Sequence, residues 1–203
     1  MEFTCTQENL SQGLAQVVPV TGRNTQLPIL QNILVEVREG VLHLTGTDLE
    51  VGVHAIVGGK AVKGGSCVIP GRQLFEYVQH LPGENPIELK QTGKTVLVRT
   101  RGFRATFRIA EAEDFPLLPA VGNETGVSID ARLLCQGVGD VVFAAAREEA
   151  RPEIHSVYMA AEAGELRLAA TDSFRLAERV VPVGGMSGKF SLLLPLPTAQ
   201  EVV

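Results

Sequence analysis

The feature that most constrains this 203-residue chain is a repeat within its own sequence. When residues 3–53 are shifted by 124 positions without a gap, they fall on residues 127–177 with twelve identities among 51 positions, where composition alone gives roughly three. A repeat of this length predicts that the chain is built from copies of one structural module. The identical pairs are Leu10/Leu134, Gln12/Gln136, Gly13/Gly137, Val17/Val141, Val18/Val142, Arg23/Arg147, Pro28/Pro152, Gly40/Gly164, Leu42/Leu166, Leu44/Leu168, Thr47/Thr171 and Asp48/Asp172.

The second copy is shorter than the first. After a slip of one residue, Val68-Ile69-Pro70 falls on Leu193-Leu194-Pro195, and residues 79–119 then have no counterpart before Val203. A module of this kind needs its closing strands to cover the apolar face of its sheet. We therefore expect a fragment, with a complete first domain over residues 1–120, a linker over 121–126 and a truncated second domain over 127–203.

Hydrophobic periodicity predicts which elements form the module. Apolar residues at helical spacing predict a helix over 8–18, and Pro70-Gly71 begins a second helix that Pro82-Gly83 ends. The fold class is therefore α+β, with two helices packed on antiparallel sheet in the order strand, helix, three strands, helix, three strands. Alternating residues predict the strands over 3–6, 30–37, 41–45, 51–57, 87–91, 95–101 and 103–109.

Composition and charge describe an ordinary globular protein. The chain is 45% hydrophobic, its formal net charge is −5, and no apolar run approaches the roughly 18 residues of a membrane span. The N-terminal residues Met1–Thr4 lack the profile of a signal peptide, so we expect a cytoplasmic protein. The net acidity argues against a protein that grips nucleic acid through bulk positive charge. Buried free thiols are expected at Cys5, Cys67 and Cys135.

No motif predicts catalysis or a cofactor. The glycine-rich segment 184–189 is one residue too short for a phosphate loop, and Phe190 replaces the hydroxyl that would hold magnesium. The four histidines are scattered, with no cysteine at metal-ligand spacing, and there is no nucleophile-elbow motif. The repeated acids Asp48 and Asp172 are interpreted as turn caps at a strand end. We expect no cofactor, no metal site and no catalytic residue.

Several motifs together resemble one protein family. They are Met1-x-Phe3-Thr4, GRNTQLPILQNI over 22–33, LTGTDLE over 44–50, DFP over 114–116 and TDSFRLA over 171–177. In order and spacing they resemble the bacterial DNA polymerase III beta subunit, the replication sliding clamp. The resemblance implies a DNA-clamp fold in a longer parent with three domains per chain, two chains of which close head to tail into a ring around duplex DNA. It also implies a non-catalytic processivity factor that tethers the replicative polymerase.

The resemblance also implies site residues. For contact with DNA these are Arg23 and Arg72, together with Arg147, the repeat counterpart of Arg23. At the dimer interface they are Arg104 and Phe107, on the edge strand that pairs with the other chain of the ring. Polymerase and clamp-loader subunits bind the family's clamps through short peptides that enter an apolar cleft between the second and third domains. The residues that match its second-domain wall are Arg151, Ile154, Thr171, Ser173, Phe174, Arg175 and Leu176.

Two alternatives stay open at the level of sequence. One is an unrelated α+β peptide-binding scaffold, or an enzyme whose active groups meet only in three dimensions. The repeat favours the clamp, because an enzyme site seldom survives in duplicate inside a ring module. The other concerns Ile154 and Leu176, which without the resemblance would be interpreted as core residues beneath the strands. Because a third domain is missing, we expect the 203-residue chain alone not to close a ring.

Overall fold

The computed structural model describes residues 1–22, 27–118, 128–148, 150–184 and 189–203. They form two compact units, Met1–Pro119 and Ala120–Val203. Each unit has a hydrophobic core of its own. The predicted linker over 121–126 lies outside the described residues.

The described part of the first unit contains two helices and nine strands. Short 3-10 turns lie at Val18–Val20, Pro28–Gln31 and Ala112–Asp114. In chain order the main elements are β1 (Glu2–Cys5), α1 (Gln7–Val17), β2 (Ile33–Arg38), β3 (Val41–Thr47), β4 (Gly52–Val57), β5 (Lys60–Lys63), β6 (Gly65–Ile69), α2 (Gly71–Gln79), β7 (Ile87–Thr92), β8 (Thr95–Thr100) and β9 (Phe103–Arg108).

These strands form two antiparallel sheets, with strand orders β5-β1-β7-β8-β9 and β4-β3-β2-β6. Leu10 and Leu14 of α1 and Leu74 and Val78 of α2 are fully buried. Each such side chain contributes about 1.5–3 kcal/mol through removal from water. Burial of these helix faces therefore helps to hold the unit together. The strand order places β9 at an edge of the five-stranded sheet.

The second unit contains a sheet equivalent to the four-stranded sheet of the first unit. Its described elements are α3 (Ala131–Val142), β10 (Ser156–Glu162), β11 (Glu165–Thr171), β12 (Leu176–Pro182), β13 (Phe190–Pro195) and α4 (Leu196–Val202). The antiparallel strand order β12-β11-β10-β13 matches β4-β3-β2-β6. The α+β class with helices on antiparallel sheet is therefore confirmed.

The 124-residue repeat is confirmed at the level of atoms. A β-carbon at Gly13 would lie 2.5 Å from Cγ2 of Val57, and one at Gly137 would lie 3.2 Å from Cγ2 of Val181, the residue 124 positions after Val57. The equivalent helices α1 and α3 thus pack on equivalent strands. The one-residue slip is also confirmed, because Ile33 pairs with Ile69 whereas Val157 pairs with Leu194.

Two details of the predicted pattern are wrong. The structure has five strands between α1 and α2, because Lys60–Lys63 and Gly65–Ile69 also form strands. They are short and bounded by glycine pairs at 58–59 and 64–65, so neither shows the longer alternation that identifies a strand in sequence. The predicted strand over 30–37 begins only at Ile33, because Pro28 starts a 3-10 turn that continues to Gln31.

Candidate functional site

A tight turn joins β11 to β12 and, with the strand ends Thr171 and Leu176, contains five of the predicted pocket residues. Asp172 Oδ1 accepts hydrogen bonds from the backbone N–H groups of Phe174 and Arg175, each at 3.0 Å. Thr171 Oγ1 donates to the Arg175 carbonyl at 2.7 Å and accepts from the Ser173 N–H at 3.1 Å. The two backbone hydrogen bonds, together with the Arg175 guanidinium, hold the pKa of the Asp172 carboxyl below its usual range. The prediction that this acid caps a turn is confirmed.

The first copy contains the same turn. Asp48 Oδ1 accepts from the N–H groups of Glu50 and Val51 at 3.0 and 2.8 Å. The third residue of each turn has positive φ without being glycine, at 79° for Leu49 and 75° for Ser173. Left-handed backbone is unfavourable by about 1–2 kcal/mol for such residues, and the side-chain hydrogen bonds within the turn offset it.

Arg175 is fixed on the surface by two neighbours. Its Nη2 donates to the Phe143 carbonyl at 2.8 Å, its Nε lies 3.1 Å from Asp172 Oδ2, and its guanidinium carbon lies 5.5 Å from the centre of the Phe143 ring. The guanidinium thus has both a cation–π contact and two hydrogen bonds. Phe143 immediately follows α3, so the end of this helix sets the position of Arg175.

A loop after α3 forms the facing wall of the site. The Ala146 N–H donates to the Ile154 carbonyl at 3.0 Å, and His155 Nδ1 donates to the Ala146 carbonyl at 2.8 Å. Arg151 lies within this loop, where its Nε is 3.2 Å from Glu153 Oε1 and its Nη1 donates to Ser173 Oγ at 3.4 Å. The loop is therefore closed at its base and contacts the turn across the site.

Turn and loop enclose an open cavity of about 470 Å³. It contains five of the seven residues predicted for the peptide pocket; the other two, Thr171 and Leu176, belong to the turn but do not bound the cavity. Its walls combine apolar, cationic and anionic side chains, which suits a short peptide better than a purely apolar ligand. The bounding residues are Ala145, Ala146, Arg147, Glu148, Arg151, Ile154, Asp172, Ser173, Phe174 and Arg175.

The apolar residues at this site are exposed rather than packed in the core. Phe174 is 97% exposed and Leu176 is 71% exposed, whereas Ile154 is half-buried. The alternative that Leu176 fills the core is therefore wrong. Its counterpart in the first copy is Gly52, and a β-carbon there would lie 3.0 Å from Leu118 Cδ1. In the first copy, the position equivalent to the Leu176 side chain is thus already occupied by Leu118 of the same unit.

The arginines predicted to contact DNA differ in placement. Arg23 lies outside the described residues. Arg72 is at the start of α2 with its side chain 84% exposed, and its Nε lies 3.2 Å from Glu76 Oε1. Arg147 is exposed on the loop after α3 and bounds the cavity described above. The structure therefore brings Arg147 together with the predicted peptide-pocket residues.

The predicted dimer-interface residues lie on β9, an edge strand of the five-stranded sheet. Arg104 is exposed, whereas Phe107 is only 9% exposed and its ring contacts Tyr77 edge-on, with centroids 5.9 Å apart. Phe103 on the same strand is 49% exposed. Phe107 thus contributes to the core of its own unit, and its role in an interface stays a prediction.

Sequence reasoning missed several residues of the cavity. Phe143 and His155 do not bound the cavity but contact its walls through a ring contact and backbone hydrogen bonds, which leave no pattern in the sequence. Ala145 and Ala146 bound the cavity because the chain leaves α3 just before them. Asp172 also bounds the cavity, and the sequence indicates it only as a turn cap.

Other classes of site are not apparent in the described structure. Among the described residues, no group of three or more His, Cys, Asp or Glu side chains is arranged to hold a metal ion. No helix in the same ranges is long and apolar enough to span a membrane. The three cysteines are free, with Cys5 and Cys67 buried and Cys135 half-buried.

A repeated module of two helices on antiparallel sheet, with a surface cavity at a strand turn, defines the class: the fold is that of DNA sliding clamps. The DnaN sliding clamp of Pseudomonas aeruginosa, solved bound to griselimycin, matches with a TM-score of 0.92 at 29% identity, over 100% of this chain and 55% of that one. The DNA polymerase III beta subunit of Thermotoga maritima matches with a TM-score of 0.85 at 29% identity, over 99% and 55%.

The family models assign both copies of the repeat. Residues 1–119 match the N-terminal domain of the DNA polymerase III beta subunit, and residues 128–203 match its central domain. The chain therefore belongs to the DNA polymerase III beta subunit family. The beta sliding clamp of Escherichia coli strain K12 is 32% identical over 204 residues, which cover 100% of this chain and 56% of that protein. The chain thus spans about half the length of the curated relatives it matches.

Proposed function

We propose that this chain is part of a DNA sliding clamp, a processivity factor that encircles duplex DNA as part of a ring and tethers the replicative polymerase. The observation that carries the proposal is that two successive family domains match the two copies of the repeat. In this proposal residues 1–120 are the first clamp domain, 121–126 the linker and 127–203 part of the second. The protein acts in the cytoplasm and catalyses no reaction.

The proposed mechanism agrees with the acidic charge of the chain. A ring holds DNA by topology, so it needs no base readout, and tight phosphate contacts would hinder sliding. A net charge of −5 is therefore acceptable for such a protein. We assign weak phosphate contacts to Arg23, Arg72 and Arg147, of which Arg72 must exchange Glu76 for a phosphate.

Retention on DNA tests this function. The full-length protein, loaded by its clamp loader on nicked circular plasmid, should stay bound during gel filtration and dissociate after a single restriction cut. Retention on the linear product, or release from the circle, would contradict topological binding.

In direct binding at varied salt, Arg72→Ala should lower the slope of log affinity against log salt by about 1, whereas Arg99→Ala on β8 should leave the slope unchanged.

We further propose that the cavity of the second unit binds short peptides from polymerase and clamp-loader subunits, rich in Gln and Leu and ending in an aromatic or aliphatic pair. Exposed Leu176 and Phe174 offer apolar surface, and the arginine stems pack while their charged ends stay hydrated. The first copy supports this choice of ligand, because Leu118 lies at Gly52, the counterpart of Leu176.

Peptide titration by fluorescence anisotropy tests the pocket. In the full-length protein, Arg175→Ala and Leu176→Asp should each weaken binding by on the order of 1–3 kcal/mol, as expected for interface anchors. The matched controls are Arg167→Ala and Leu193→Asp. Arg167 is an exposed, ion-paired arginine and Leu193 is 49% exposed, and neither residue bounds the cavity. Affinity that falls equally in tests and controls would contradict the assignment.

Ring assembly is the third part of the proposal. The open edge of β9 offers unpaired backbone groups for a strand of a second chain, with Arg104 and Phe107 at the interface. Since the chain spans 56% of its relative, we propose that the 203-residue chain alone does not close a ring, whereas the full-length protein forms a homodimer. Light scattering that finds a stable dimer of the 203-residue chain would contradict this part.

A further inference from the structure

We propose that His155 is the positioning residue of the peptide cavity, in that its imidazole fixes the loop that forms one wall. The proposal rests on the proposed function of the cavity as a peptide site. The cavity loop consists of the described residues 147–148 and 150–153, and it contributes Arg147, Glu148 and Arg151 to the cavity. His155 does not bound the cavity itself, so it acts through these residues.

The base of the loop is closed by a reciprocal pair of hydrogen bonds. The Ala146 N–H donates to the Ile154 carbonyl at 3.0 Å, and the Ala146 carbonyl accepts from His155 Nδ1 at 2.8 Å. The backbone N–H and the carbonyl of Ala146, at one end of the loop, are thereby both bonded to residues at its other end. Because a carbonyl only accepts, Nδ1 of His155 carries the proton in this arrangement.

His155 also connects the loop to the rest of the unit. Its backbone N–H donates to the Arg151 carbonyl at 3.0 Å, and its carbonyl accepts from the Leu196 N–H, the first residue of α4, at 3.1 Å. The imidazole therefore connects Ala146 to His155, whose own backbone N–H and carbonyl are both hydrogen-bonded. Within the described part of the chain no other donor bonds the Ala146 carbonyl, so removal of the imidazole donor leaves the base of the loop closed by one hydrogen bond less.

The expected consequence is weaker peptide binding rather than unfolding. A peptide that binds a loosened loop must first order it, and that ordering opposes association. A net hydrogen bond corresponds to about a fivefold change in an equilibrium constant. We therefore expect peptide affinity to fall by about fivefold to tenfold when the imidazole donor is lost, while the core of the unit stays intact.

The test compares three variants of the full-length protein with wild type. His155→Leu removes the donor and keeps an apolar side chain of similar size, whereas His155→Asn restores an N–H near the position of Nδ1. His80→Leu is the matched control, because His80 Nδ1 also bonds a backbone carbonyl, that of Glu76 at 2.7 Å, at the end of α2 in the other unit. Two quantities are measured: amide hydrogen exchange at Ala146 and the affinity for a fluorescein-labelled peptide that begins with Gln and ends with Leu-Phe.

The proposal expects faster exchange at Ala146 and weaker peptide binding in His155→Leu, near-wild-type values for both in His155→Asn, and no change in His80→Leu. Unchanged exchange at Ala146 in His155→Leu overturns it, as does unchanged peptide affinity when the wild type binds. A wild type that does not bind the peptide contradicts the proposed function of the cavity instead. In that case amide exchange alone decides whether His155 positions the loop.

Discussion

Gly137 of α3 lies so close to Leu168 of β11 that a β-carbon at position 137 would be 2.5 Å from Leu168 Cδ1. Leu168 is fully buried, so its side chain is enclosed by protein and cannot move aside into solvent. The helix therefore approaches the sheet at a distance that only glycine permits. The first copy has a similar close approach, since a β-carbon at Gly13 would lie 2.5 Å from Val57 Cγ2 and 3.2 Å from Cδ1 of Leu44, the counterpart of Leu168.

The first prediction follows from this close approach. Gly137→Ala should destabilise the protein, because overpacking of about 1–3 kcal/mol exceeds the gain of about 1 kcal/mol in helix propensity. Gly139→Ala, two residues away on α3, should stabilise it, since among the described residues its β-carbon would meet only Val203 Cγ1, at 3.6 Å. Urea unfolding measures both. An equal gain in stability from both substitutions would show that the contact with Leu168 relaxes freely.

The second prediction compares the two turns. Asp48 and Val51 are buried, so Asp48→Ala leaves the Val51 N–H without its acceptor away from water and should lower the free energy of unfolding by about 1–3 kcal/mol. Asp172→Ala should lower it less, because water reaches the second turn and replaces the carboxylate. Urea unfolding of the two variants checks the order, and a larger loss for Asp172→Ala would contradict it.

The third prediction concerns pH. Burial lowers the pKa of His43, and the charges of Arg38 and His54 lower it further. The folded state therefore favours neutral His43, whereas an unfolded histidine titrates near pH 6.5, at about its ordinary pKa. The stability contributed by neutral His43 is complete above about pH 6.5 and is lost as the pH falls toward the lower folded pKa.

A substitution isolates this effect. We expect the difference in free energy of unfolding between wild type and His43→Asn to shrink between about pH 7.5 and pH 5.5, because only the wild type carries the titrating group at position 43. Chemical denaturation at several pH values measures the difference. Parallel curves for the two proteins would mean that the pKa of His43 is the same in both states.

The fourth prediction concerns thiol reactivity. Burial raises the pKa of both Cys5 and Cys67 to about 12, so almost no thiolate is present at neutral pH. Cys135 is half-buried, and its Sγ donates to the Val202 carbonyl at 3.0 Å. Native protein should react with a disulfide reagent first at Cys135, and with the other two thiols only in denaturant. Three equivalents released at one rate would contradict the burial of Cys5 and Cys67.

Much of the fold can be predicted from the sequence, because both the repeat and the helical spacing of apolar residues reflect which side chains are buried. The predicted helix over 8–18 lies at Gln7–Val17, and the repeated Thr-Asp pair forms the same turn twice. The strand over 60–63 escaped prediction because its position depends on pairing with β1, a contact between distant parts of the chain. Local pattern carries no trace of such pairing.

The candidate site is predictable only in part, for a related reason. The turn residues were found through the resemblance, and their hydrogen bonds follow from the side chains of Thr171 and Asp172. The loop wall depends instead on backbone groups of Ala146 and Ile154, whose positions no side-chain pattern reports. The packing of Arg175 on Phe143 brings together residues 32 positions apart, which only the folded chain reveals.

The paired turns have a consequence for how this chain can change over time. Val51 and Arg175 occupy the same place in the two turns, yet Val51 is buried and the Arg175 side chain is 57% exposed. A substitution at position 51 must fit the core around it, whereas a substitution at position 175 changes the surface and leaves the turn backbone the same. One turn therefore supplies a side chain to the core, and the other presents a side chain to whatever binds the surface.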